Sequence, residues 1–176
     1  MSRLTPELRI ESVRHEEMDV LELVELLRDR EPAVRMKARK HLAHRKDPES
    51  VPALVRALAD SKTHTRWEAA KTLGEICHPE SALALTEAMN DEQADVRWVA
   101  AEAVAKLGRD GAMALLEALI RNAKSDAFRE AAHHSIVRMA EHGETLAPVR
   151  HALERHLPAV EAPSAAFAAL NALAAG

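Results

Sequence analysis

Three aspartate–arginine pairs are the first candidates for chemistry. Asp29 and Arg35, Asp60 and Arg66, and Asp91 and Arg97 each lie six residues apart, and successive pairs are offset by 31. A carboxylate beside a guanidinium could serve an acid–base site. A pair repeated at a fixed offset, however, is explained by a repeated fold before any reaction centre is invoked. Ten histidines suggest a metal site instead, with His133, His134, His142, His151 and His156 concentrated late. Glu130 and His134 stand at i and i+4, a usable ligand spacing on one helix face. No second such pair follows at fixed spacing, and selective sites need several ligands at defined geometry. The single cysteine, Cys77, precedes His78 and Pro79 without a pattern that would activate a thiol. It cannot form an internal disulfide, which suits a reducing compartment. No glycine-rich phosphate loop is present. The sequence thus assembles no catalytic set, metal site or cofactor site.

The offset that relates the pairs also relates the segments around them. Residues 29–58, 60–89 and 91–119 are variations on one unit, and a fixed period in this range signals stacked helical pairs rather than a closed globule. Apolar residues make up 47% of the chain but aromatics only 2%, so Ala, Leu and Val must supply the core. Five glycines and no alternating β-branched run point to an all-α chain. First helices are expected over 32–44, 63–76, 94–107 and 126–139. Their buried sets are Val34, Ala38 and Leu42, then Thr65, Ala69, Leu73 and Ile76, then Val96, Ala100, Val104 and Leu107, then Phe128, Ala132, Ile136 and Met139. Small Ala38, Ala69, Ala100 and Ala132 share one equivalent position, where backbones could approach closely. Second helices are expected over 19–27, 50–58, 81–89 and 111–119, and more loosely over 145–153, with apolar stripes such as Val51, Leu54, Val55 and Leu58. Pro48 and Pro79 read as helix starts and Gly108 as a helix stop. Residues 1–17, with a short helix over 6–13, form an N-terminal cap or arm. The array runs over 18–156, a break falls at 157–164, and an Ala-rich capping helix or tail with Phe167, Leu170 and Leu173 on one side closes the chain within 157–176.

The net charge is −4 and the pI about 6.2, which argues against a dedicated nucleic-acid binder. Residues 1–17 lack a signal-peptide core and no run reaches transmembrane length, so a cytoplasmic protein with no membrane partner is expected.

Residues 91–108, with Asp91, then Val96-Arg97-Trp98, Ala100-Ala101, Ala103-Val104 and Leu107-Gly108, resemble the HEAT-repeat superfamily, and specifically the HEAT-like repeats of the phycobilisome lyase type. Residues 60–74 match with Thr65 in place of valine. Residues 29–42 match with Met36 in place of tryptophan, and the fourth repeat carries Asn122 in place of aspartate. The resemblance implies an all-α, right-handed α-solenoid of about four helical-hairpin repeats with flanking capping helices. It also implies that the aspartates and arginines form a structural ladder binding each turn to the next helix, for which bidentate pairing supplies a physical reason. Trp67 and Trp98 lie nearly opposite the apolar stripe. They could anchor a partner, or their flat rings could cover a neighbouring helix.

In related solenoids the outer row of the second helices lines the concave side, where extended partners lie. Here that row holds Glu22 and Glu25, Ala53 and Arg56, Ala84 and Glu87, Ala114 and Glu117, then Pro148 and His151. Small side chains leave room for a partner, and the carboxylates favour a basic one. A non-catalytic scaffold or adaptor for a protein or peptide is therefore the expected function, with no cofactor. Two alternatives stay open: a lyase-like or chaperone role towards a chromophore-carrying protein, and nucleic-acid binding through the basic first helix, whose cations include Arg35, Arg39, Lys40, Arg45 and Lys46. Because burial lies largely between repeats, Val104→Asp is expected to lower helicity beyond its own hairpin, with loss of circular dichroism across the array rather than a local change.

Overall fold

The computed structural model describes residues 18–139 and 143–175. The expected helix over 6–13, the His15-Glu16 dipeptide and His142 lie outside the described residues. The described chain is all-α: α1 (Val20–Leu26), α2 (Pro32–Arg45), α3 (Ser50–Ala57), α4 (Thr63–Ile76), α5 (Ala82–Ala88), α6 (Ala94–Lys106), α7 (Gly108–Asn122), α8 (Asp126–Arg138), α9 (Gly143–Glu154) and α10 (Pro158–Ala175), with a 3-10 turn at Pro79–Ser81 before α5. Among these, no helix is long and apolar enough to cross a membrane.

The helix boundaries follow local chemistry. Asp19 accepts the Leu21 N–H at 3.3 Å to cap α1, and Ser125 accepts the Phe128 N–H at 3.2 Å to cap α8. Pro32 opens α2, where its missing N–H leaves nothing unmet. The first helices end in a repeated device. Lys46 (φ 48°), Cys77 (φ 57°) and Gly108 (φ +57°) are the left-handed residues of the described chain, and they recur every 31 positions. Only the third is glycine, so Lys46 and Cys77 hold a conformation that their Cβ atoms disfavour.

Two layers result. In one, α2 packs on α4, α4 on α6 and α6 on α8; in the other, α1 packs on α3 and α5 on α7. This stacking of helical hairpins is an α-solenoid. Every member of the four first-helix stripes named above is buried. The small positions set the spacing. A Cβ on Gly74 would lie 2.6 Å from the Ala103 Cβ, and one on Gly111 would lie 2.0 Å from the Val104 carbonyl oxygen. Glycine there is a steric requirement of the α4–α6 and α6–α7 contacts.

The C-terminal region departs from the sequence reading in two ways. The expected break over 157–164 is confined to the residues just ahead of Pro158, which opens α10, and Pro163 is accommodated inside that helix. Second, α10 packs against both α9 and α7, and it buries Ala162, Ala166, Ala169 and Leu173 while Phe167 stays 60% exposed. Of the side that carries Phe167, Leu170 and Leu173, the two leucines pack on the core and only Phe167 turns outward. Alanines let α10 settle close against two neighbours at once, a fit that a phenylalanine at the contact would prevent. Arg109 fastens the end of α10 by donating to the Leu173 carbonyl.

Relief of the strained helix ends is measurable. Cys77→Gly and Lys46→Gly are each expected to stabilise by about 1 kcal/mol and raise Tm by about 2–4 °C. Gly108→Ala should lower it. A fall in Tm for Cys77→Gly would contradict the assignment.

Candidate functional site

The aspartate–arginine pairs do not meet side chain to side chain within a repeat. Each arginine reaches back six residues to the carbonyl of its own turn: Arg35 Nη1 to Asp29 O at 3.0 Å, Arg66 Nη1 to Asp60 O at 3.0 Å and Arg97 Nη1 to Asp91 O at 2.9 Å. Arg129 repeats the bond to Ala123 in the fourth unit, where no aspartate stands. The carboxylates turn instead to the backbone two residues on, accepting the N–H of Glu31, Lys62 and Gln93 at 2.8, 2.8 and 2.9 Å. Two of the three also reach the preceding unit. Asp91 takes a fork from Arg66, Nε to Oδ2 at 2.6 Å and Nη2 to Oδ1 at 2.9 Å, while Asp60 takes Arg28 Nη2 at 2.9 Å. The Arg66 and Asp91 side chains are 9% and 8% exposed. Burial opposes ionisation of Asp91, but the Arg66 fork and the Gln93 N–H outweigh it and hold the carboxyl below the ordinary aspartate range.

A second set of charges, absent from the sequence reading, crosses the first-helix layer. Arg39 on α2 donates to Glu68 at 3.1 Å and Glu75 at 2.6 Å on α4, and Arg35 lies 3.5 Å from Glu68. Glu102 on α6 accepts from Arg138 on α8 at 2.9 Å and lies 3.9 Å from Lys71 on α4. Burial pushes the Glu68 carboxyl up against the pull of Arg39 and Arg35, whereas the Arg138 hydrogen bond holds that of Glu102 down. The separations of 29 and 36 residues were visible in the sequence but acquire meaning only once α2 is known to pack on α4. The consequence is direct: Arg35 and Arg39 of the basic first helix are committed to internal carboxylates.

The tryptophans part company. Trp67 is half-buried and packs on the core, while Trp98 is 50% exposed and stacks on His134 with ring centroids 3.6 Å apart. Burial lowers the His134 pKa, and its Nε2 lies 3.9 Å from Glu102. Glu130, its i−4 neighbour, is exposed. Among the described residues no group of three or more His, Cys, Asp and Glu side chains is gathered as metal ligands.

On the second-helix layer, Glu22, Glu25, Arg56, Glu87 and Glu117 are exposed. Ala53, expected in the same outer row, is buried, because it sits at the floor of a cleft. That cleft, of about 430 Å³, opens between α1 and α3 and is lined by Leu21, Val24, Glu25, Arg28, Ala53, Arg56, Ala57 and Asp60. A second, of about 270 Å³, opens between α3 and α5 and is lined by Val55, Leu58, Ala59, Ala84, Glu87, Ala88, Asn90 and Asp91. Each has an apolar floor with charged lips.

Residues 20–105 and 71–137 match the family model described as HEAT repeats. No curated protein sequence matches the chain. Among solved structures, the crystal structure of an engineered protein from a structural genomics consortium is similar at 20% identity and a TM-score of 0.47, covering 90% of this chain and 81% of that one.

Removing the Asp91 carboxylate leaves Arg66 with the Asp60 carbonyl and, as its one carboxylate, the exposed Glu92 at 3.1 Å. Asp91→Ala is expected to destabilise by about 3 kcal/mol. Because the folded carboxyl titrates below the ordinary value, its stabilisation is complete above the aspartate range and is lost as pH falls through the lowered folded value. Asp91→Asn should therefore flatten the acid limb of Tm against pH. An unchanged acid limb would contradict the assignment.

Proposed function

The chain belongs to the HEAT repeat family, and on that premise we propose that it is a non-catalytic scaffold that holds a protein or peptide segment along its second-helix face. Repeats of this family commonly serve as protein-interaction scaffolds. The observation that carries the reading is the pair of open clefts between consecutive second helices, with apolar floors of Ala53 and Ala57 or Ala84 and Ala88 and charged lips at Arg56 and Glu87. Small floors admit a partner's side chains, and unpaired lips give them orientation. Glu22, Glu25 and Glu117 extend the charged rim, and Trp98 lies on the other layer, away from both clefts.

The two rival functions draw less support. Nucleic-acid binding needs free cations on the basic first helix, but Arg35 and Arg39 are engaged with Glu68 and Glu75. A lyase-like role towards a chromophore protein needs a ligand cleft with aromatic or thiol groups, and neither cleft is lined by any.

Panning a displayed library of random peptides against the protein tests the reading. Enriched peptides are expected to bind Glu87→Lys/Glu117→Lys about tenfold more weakly, with the variant's helicity and Tm intact. Equal binding to the folded variant would contradict it.

A further inference from the structure

The charges of the two clefts do not balance in the same sense. In the α1–α3 cleft, Arg28 is engaged by Asp60 at 2.9 Å and by Glu25 at 3.8 Å. The Arg56 side chain is exposed there and takes part in no ion pair or hydrogen bond among the described residues. In the α3–α5 cleft, Asp91 is closed off by the Arg66 fork and the Gln93 N–H. Glu87 is exposed there and likewise unpaired. Once the internal pairs are set aside, Arg56 is the unpaired cation of one cleft and Glu87 the unpaired anion of the next.

Arg56 and Glu87 occupy equivalent positions, 31 residues apart, on α3 and α5. α3 and α5 face each other across the second cleft without packing closely on one another, so they lie at or beyond the about 8–10 Å of packed helices, and an extended chain advances about 3.3 Å per residue. Resting on the docking reading above, we propose that this face selects an extended segment bearing a carboxylate and a cation about three residues apart, the carboxylate on Arg56 and the cation on Glu87. Residues between them would lay apolar atoms over the Ala53–Ala57 and Ala84–Ala88 floors. The match is one of opposite charges on opposite lips, so a segment with two like charges at that spacing leaves one lip facing its own sign. Because an extended chain can run in either direction, mixed sign matters rather than which charge comes first.

Three otherwise identical peptides, with carboxylate and cation, two carboxylates, or two cations at that spacing, measured by fluorescence anisotropy at low salt, read the rule. The wild type is expected to bind the mixed peptide about threefold to fivefold more tightly than either like-charged one. Arg56→Glu should shift the preference to the two-cation peptide, and Glu87→Arg to the two-carboxylate peptide. Preferences that do not move with these substitutions overturn the charge rule. Ala84→Trp separates the two levels of the argument, since it fills the α3–α5 floor. If Ala84→Trp removes peptide binding while the charge variants change nothing, the docking reading stands and the charge rule falls. If Ala84→Trp leaves binding intact, or no peptide binds the wild type, both fall.

Discussion

The bond from each first-helix arginine to the carbonyl six residues earlier is the constraint on which the array depends. It closes each inter-repeat turn onto the helix that follows, at Arg35, Arg66, Arg97 and Arg129 alike. The turn that Arg97 closes also carries Asp91, whose carboxylate takes the Arg66 fork from the preceding unit. With the turns fixed, the first helices can meet at Ala38, Ala69, Ala100 and Ala132, all fully buried, and at the Gly74–Ala103 contact. Close backbone approach on this layer sets where the second helices stand, and thus where clefts open between them.

Much of this was legible in the sequence because the 31-residue period repeats backbone roles as well as residue types. Thr63–Ile76 forms over its expected span, and the first-helix stripes are buried at each named position, while Val55 and Leu58 of the second-helix stripe are half-buried beside the α3–α5 cleft. What escaped was set by neighbours remote in sequence. Arg35 and Asp29 share a six-residue spacing, but nothing in that spacing says whether the guanidinium meets a carboxylate or a carbonyl. Phe167 has the greater transfer free energy, yet alanine fits the narrow space against α7 and α9. Ala53 belongs to the outer row by periodicity but is shaded by the lips of its cleft. The candidate site itself was half readable. Arg56 and Glu87 stood out as outward charges, whereas the internal pairing of Arg28 and Asp91, which isolates them, required coordinates.

The two layers divide the labour between stability and recognition. Charges on the first-helix layer are joined from α2 through α4 and α6 to α8, by Glu68, Glu75 and Glu102. Partly buried networks of this kind fix register between helices and leave little for a ligand. On the second-helix layer α1, α3 and α5 are short, and the clefts between them have apolar floors with unpaired lips at Arg56 and Glu87. Stability and binding should therefore respond to different substitutions.

The central claim is that a partner lies on the second-helix layer, and hydrogen–deuterium exchange with a bound, library-selected peptide tests it most directly. The account predicts new protection in α3 and α5, around Arg56 and Glu87, with the exposed residues of α4 and α6 unchanged. Protection centred on Trp98 and His134, with α3 and α5 unaffected, would contradict it.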